Sequence, residues 1–98
     1  DDGHTLSLFP GTPVIHEGKK WVISFFLAAQ DMYRITITKN IANRANYIVF
    51  MVSGADKAHA LHEVLTGPYN PDLYPSQVIE PVHGELHFFL DKAAAAEL

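Results

Sequence analysis

The feature that most constrains this chain is a pair of short, nearly unbroken apolar runs. "WVISFFLA" spans Trp21–Ala28 and "YIVFMVS" spans Tyr47–Ser53. Both are rich in aromatic and β-branched residues and short for helices, so both read as strands buried on both faces. Between them "RITIT", Arg34–Thr38, alternates and reads as a short strand, with Thr38 placed to cap a short helix over Asn40–Ala45. After the second run, "GADKAHALHEVLTG" predicts a helix that stops near Gly67. "GPYNPDLYPSQ" carries three prolines and reads as a loop, "ELHFFLD" (Glu85–Asp91) as a further strand, and "KAAAAEL" as a terminal helix. The first twenty residues hold three glycines and two prolines, so they read mostly as loop, with a single turn at Ser7-Leu8-Phe9. Strands covered on both sides and alternating with helices predict an α/β fold: a largely parallel sheet flanked by helices on both faces.

With 98 residues, 48% of them apolar and 18% charged, residues 1–98 suit one small packed domain or part of a larger one, not a disordered chain. A net charge of −4 argues against nucleic acid or acidic membranes as partners of the whole surface, while leaving room for a local basic site that takes a small anion. The absence of cysteine removes disulfides, thiolate catalysis and cysteine zinc sites from these residues. No apolar run approaches the roughly 18 to 20 residues that cross a bilayer. No secretory pattern opens the sequence, so a cytoplasmic location is the default expectation. The chain begins with Asp rather than Met, and any upstream targeting segment would be hidden.

Lys57 breaks the pattern of its helix. At about 100° per residue, Ala58, Ala60, Leu61, Val64 and Leu65 share one arc, with Lys57 near its middle and Asp56, His59, His62 and Glu63 opposite. A lysine in the first turn also opposes the helix dipole. Breaks of local rules concentrate at functional sites. A strand-to-helix turn such as "SGADK" offers backbone N–H groups to an anion, and an ammonium would complete a phosphate site. A lysine whose stem covers apolar surface explains the position equally well.

His4 sits in "DGHTLSLFP", between a glycine that lets the backbone approach a ligand and Thr5. Asp2 is placed to orient its ring, and an imidazole can take a proton from water near neutral pH. On chemistry alone, an ordinary loop histidine is the simpler reading.

The spelling shifts that balance. "DGHTLSLFP" resembles the signature block of the 6-phosphogluconolactonases, D-G-H-T-x-S-L-F-P. "RITIT" is similar to their R-[IV]-T-L-T, "GADKA" to their G-x-x-K-A, and "PVHGELHFFLDKAAAAEL" to P-x-x-G-x-L-x-W-F-x-D-x-A-A-A, with Phe88 where tryptophan is usual. The blocks occur in order along essentially the whole chain. The related sugar-phosphate isomerases and deaminases share a D-G-H loop and a G-x-x-K-A turn, but follow the histidine with an N-E-P-type segment where this chain has Ser7-Leu8-Phe9-Pro10. Family members carry another half before the D-G-H-T block. The resemblance therefore implies the C-terminal half of a Rossmann-like three-layer αβα domain, opening within an active-site loop.

It also implies an activity, hydrolysis of 6-phosphogluconolactone to 6-phosphogluconate in the pentose phosphate pathway. A δ-lactone is an activated ester, so an oriented water, a base and oxyanion donors suffice, with no metal or cofactor. By resemblance His4 is the base, and Asp2, Gly3 and Thr5 shape the loop around the substrate. Lys57 is the favoured phosphate ligand. Arg34 is a second, since a guanidinium at a strand start can grip phosphate bidentately, although a surface salt bridge would also account for it. The oxyanion donors are expected among backbone amides of the preceding half. The competing reading is a non-catalytic sugar-phosphate-binding or regulatory module of the same fold. These 98 residues alone are expected to be inactive and, with an unpaired sheet edge and an uncovered apolar face, to self-associate.

Other histidines carry less. His59 and His62 lie three apart on the outward helix face with no third metal ligand evident, and His16 in its loop is assigned nothing. His87 is expected to be partly buried and structural, sharing a strand face with Glu85 and Phe89, while the Phe88-Phe89 pair is expected in the core. No metal site is expected.

Overall fold

In the computed structural model, which describes residues 2–98, the chain is α/β. Strand β1 (Val22–Leu27) and strand β2 (Met32–Ile37) form one sheet; helix α1 (Lys39–Ala42) follows. Strand β3 (Tyr47–Val52), helix α2 (Ala58–Thr66) and strand β4 (Glu85–Leu90) complete the regular elements, joined by single 3₁₀ turns at Pro13–His16, Ala28–Gln30, Ala55–Lys57 and Pro75–Val78.

The described residues form two two-stranded sheets, β1-β2 and β3-β4, where a single, largely parallel sheet was expected. β1 and β2 pair antiparallel, with Val22 opposite Ile37 and Leu27 opposite Met32. The reason lies in the link. Residues 28–31 are too few to carry the chain back for a parallel partner, a crossover that takes a dozen residues or more. Asp31 closes this hairpin in the left-handed region at φ 50°. β3 and β4 do pair in parallel, Tyr47 opposite Glu85 through Val52 opposite Leu90, because residues 53–84, including α2, supply the crossover.

One core joins the two sheets. Leu8, Val14, Ile15, Val78 and Ile79 are buried together, and Ile23, Phe25, Ile48, Phe50 and Leu86 pack on them from β1, β3 and β4. These strand residues alternate with outward-facing ones, so the strands are covered on one face, not two. Val22, Phe26, Tyr33, Ile35 and Ile37 share the outer face of β1-β2, and Tyr47, Val49, Met51 and Phe89 that of β3-β4; all are exposed.

Other local expectations are adjusted in the same way. The early turn falls at Leu6–Ser7 and is closed by the Leu8 N–H donating to Thr5 O at 2.9 Å. Thr38 does stand at the N-cap of α1, but its hydroxyl donates to Lys20 O at 2.6 Å and does not cap the helix. Residues 92–97 form turns rather than the expected terminal helix. Seven residues are too few to offset helix nucleation without a packed face. On α2, Ala58, Ala60 and Leu61 are buried as the wheel required, whereas Leu65 is exposed. No helix among the described residues is long and apolar enough to cross a membrane.

Candidate active site

The site is built around the segment Asp2–Phe9. Gly3 holds φ +73°, and a side chain there would also meet Tyr74, with Cδ1 at 3.0 Å from the added carbon. Its carbonyl accepts two hydrogen bonds from one residue, Ser76 N–H at 2.9 Å and Ser76 Oγ at 2.7 Å. The start of the 3₁₀ turn Pro75–Val78 thus clamps the loop from one side. From the other, the Ser7 N–H donates to Thr36 Oγ1 of β2 at 3.2 Å, while the Thr36 hydroxyl donates to Ile37 O.

Asp2 and His4 are joined twice. The His4 backbone N–H donates to Asp2 Oδ1 at 3.1 Å, and ring Nδ1 lies 2.6 Å from the same oxygen. Burial opposes ionisation of Asp2, but the hydrogen bonds from the His4 ring and backbone, with the attraction of the ring, outweigh it and hold this carboxyl below its usual range. An ionised carboxylate only accepts, so Nδ1 carries a proton, and in the neutral tautomer of the ring it is Nε2 that keeps the lone pair. The ring also stacks on Phe9, with centroids 4.3 Å apart and planes 18° from parallel.

Lys57 ends the 3₁₀ turn that leads into α2. Upstream, Gly54 takes φ +100°, and a side chain there would press a carbon to 2.7 Å from Asp56 Oδ1. The expected row of open N–H groups in this turn is only partly present. The Gly54 N–H donates to both oxygens of Asp91, at 3.2 and 3.1 Å, and Asp91 also accepts from the Ala94 N–H at 2.8 Å. The Lys57 ammonium pairs with Asp56 Oδ2 at 3.1 Å, and that hydrogen bond, backed by the charge attraction, lowers the Asp56 carboxyl. The Asp56 side chain is mostly in water and that of Lys57 partly so, which makes this contact weak and open to exchange for another anion.

His4 and Lys57 line one cavity of about 570 Å³, together with Asp2, Gly3 and Thr5. Its apolar wall comes from Phe50 and Phe88, whose rings stack at 4.9 Å, and from Ala60, Leu61 and Val64 of α2. An imidazole, an ammonium held only by an adjacent carboxylate and an apolar wall are groups that a phosphorylated ligand of sugar size could use. Arg34 is the candidate that the structure does not bring there. It lies outside the cavity lining, with its guanidinium over Phe9 at 5.5 Å and hydrogen-bonded to Gln30 Oε1.

Ser76 and Asp91 are contributions that the sequence reading passed over. Asp91 carried a signal, an acidic residue just after a strand and three before the N–H it caps. Ser76 carried none, since its partner lies 73 residues away. The remaining histidines stand apart. His16 contacts Asp72, His59 faces Glu97 and Tyr74, and His62 faces Thr66. His87 does share its face with Glu85 and Phe89 but is exposed, because that face of the sheet is uncovered. Phe88 is half-buried, while Phe89 is exposed rather than in the core. Among the described residues no three His, Asp or Glu side chains come together as metal ligands.

A family model described as glucosamine-6-phosphate isomerases/6-phosphogluconolactonase matches residues 1–88. A 6-phosphogluconolactonase of Synechocystis sp. is 42% identical over 98 residues, covering 100% of this chain and 40% of that protein. The solved structure of the devB protein superposes with a TM-score of 0.86 at 30% identity, covering 99% of this chain and 40% of its own. That of 6-phosphogluconolactonase from Trypanosoma brucei gives 0.83 at 26% identity, covering 99% and 38%. The chain thus spans about two fifths of the length of the relatives it matches.

Proposed function

From the premise that the chain belongs to the glucosamine-6-phosphate isomerase/6-phosphogluconolactonase family, we propose that it is part of a 6-phosphogluconolactonase that hydrolyses 6-phosphogluconolactone to 6-phosphogluconate. The observation that carries this reading is the shared cavity: His4, with Asp2 on Nδ1, and Lys57 line the same space. Lys57 takes the phosphate in exchange for Asp56. Nε2 of His4 accepts a proton from a water that attacks the lactone carbonyl, forming the new C–O bond. Asp2 stabilises the imidazolium as it forms. The ring oxygen then leaves as the tetrahedral intermediate collapses, and it receives the proton back from His4. On this reading the oxyanion donors are backbone amides of the whole protein that lie outside residues 1–98.

The same reading extends to architecture. The outer apolar faces of the two sheets are covered in the whole protein, giving a three-layer αβα domain of which residues 1–98 form the C-terminal part. A cytoplasmic location belongs to the proposal as well. Arg34 is not retained as a phosphate ligand, since it stands outside the cavity lining.

Assay of the full-length protein with 6-phosphogluconolactone tests the reading. Turnover above the spontaneous rate, lost with His4→Ala, is the expected result. Tight binding of 6-phosphogluconate without turnover would instead identify a non-catalytic sugar-phosphate-binding module.

A further inference from the structure

Arg34 is a cation beside the proposed base that the proposed chemistry leaves unused. It projects from β2 on the same side as Thr36, two residues on, because side chains alternate along a strand. The loop opposite has the same period. Thr36 receives the Ser7 N–H at 3.2 Å, and the Arg34 guanidinium lies over the ring of Phe9, 5.5 Å from its centroid. Two positions two apart in β2 therefore grip two positions two apart in the loop. Phe9 in turn stacks on His4 at 4.3 Å. Arg34 itself is anchored by its Nη2 hydrogen bond to Gln30 Oε1, and its Nε is buried with no partner. A buried donor left unpaired is costly, and contact of the planar cation with an aromatic face is its compensation.

We infer that Arg34 is a positioning residue. Through Phe9 it braces one face of the His4 ring, while Asp2 fixes the rotation of that ring about its bond to Cβ. The inference rests on His4 acting as the base. Two holds from different directions are what a general base needs, since a side chain free to swing loses alignment with the attacking water.

The test uses the full-length protein with Arg34→Gln, Phe9→Leu and both together, plus Gln30→Ala as a mild variant that loosens the guanidinium without touching the loop. Each of the first two is expected to lower kcat about tenfold with KM within twofold, because ring alignment matters only in the transition state. The double variant is expected to match the worse single one, since both act through one column of rings. Gln30→Ala is expected to show a smaller loss of the same kind. A rise in KM at unchanged kcat for Arg34→Gln would make it a direct substrate ligand and overturn the inference. Multiplying effects in the double variant would overturn it too. The NMR shifts of the His4 ring protons, which sense the Phe9 ring current, are expected to move in Arg34→Gln while the fold is kept. Unchanged shifts refute the column whatever His4 does, whereas full activity of His4→Ala refutes the base role instead.

Discussion

Oδ1 of Asp2 lies 2.6 Å from Nδ1 of His4 and also receives the His4 backbone N–H. One oxygen thus ties the loop and the ring together, and it decides which ring nitrogen keeps the lone pair in the neutral ring. In the full-length protein His4→Ala is expected to lower kcat by roughly 10²- to 10⁴-fold, the range for a positioned proton acceptor. Asp2→Asn keeps an acceptor but loses the charge, and is expected to cost less, about 10- to 100-fold. Steady-state hydrolysis rates check both, and a near-normal rate for His4→Ala removes it from the base role.

The same pair sets a pH dependence. Although burial works against it, hydrogen bonding from His4 keeps the folded-state carboxyl of Asp2 depressed. A depressed carboxyl stabilises the fold in full above the unfolded value of about 3.9, and the contribution is lost as pH falls through the lower, folded value. The melting temperature of the native protein minus that of Asp2→Asn is therefore expected to shrink as pH falls below about 4. A difference that grows on acidification would show the sign to be wrong.

What the sequence made legible was local periodicity and two side chains that would share a cavity. The four strands and the body of α2 are where apolar runs, alternation and helical spacing put them, and His4 and Lys57 do meet in one cavity. What it hid depended on partners far along the chain. The apolar runs of β1 and β3 implied cover on both faces, yet Phe26 and Met51 are exposed among the described residues, because nothing in this span lies over them. The direction of β1 against β2 was set by the short link at 28–31. Arg34 had the right charge for a phosphate ligand, but only the fold reveals that Phe9 stands beside it.

On the proposed reading, Asp56 competes with the substrate phosphate for the Lys57 ammonium. Lys57→Ala is expected to raise KM more than it lowers kcat, as for binding felt alike in ground and transition states. Asp56→Asn removes the rival carboxylate and is expected to lower KM about two- to fivefold, in keeping with the small worth of an exposed ion pair. Both are read from substrate titrations, and an unchanged KM for Lys57→Ala contradicts the assignment.

Gly54 and Asp91 hold the turn that presents Lys57. Gly54→Ala places a side chain at φ +100° and within 2.7 Å of Asp56 Oδ1, a strain expected to cost about 1–3 kcal/mol. Asp91→Ala leaves the Gly54 and Ala94 N–H groups without their acceptor; in this exposed setting the expected cost is about 1 kcal/mol. Urea unfolding measures both. Neither changing stability would mean that the turn is held by other contacts.

The two outer sheet faces bear on solution behaviour. Tyr33 and Ile35 are 76% and 75% exposed on one, and Met51 is 81% exposed on the other. Contiguous apolar surface of this kind is unusual on a monomer, and paired strands offer open edges beside it. Residues 1–98 expressed alone are therefore expected to self-associate, with an average mass in sedimentation that rises with concentration. Ile35→Asp and Met51→Asp place charges on the two faces without entering the core, and together are expected to shift the population towards monomer. Strictly monomeric behaviour of the unaltered chain across the micromolar range would show that these faces are not adhesive, and would weaken the argument that they are built to be covered.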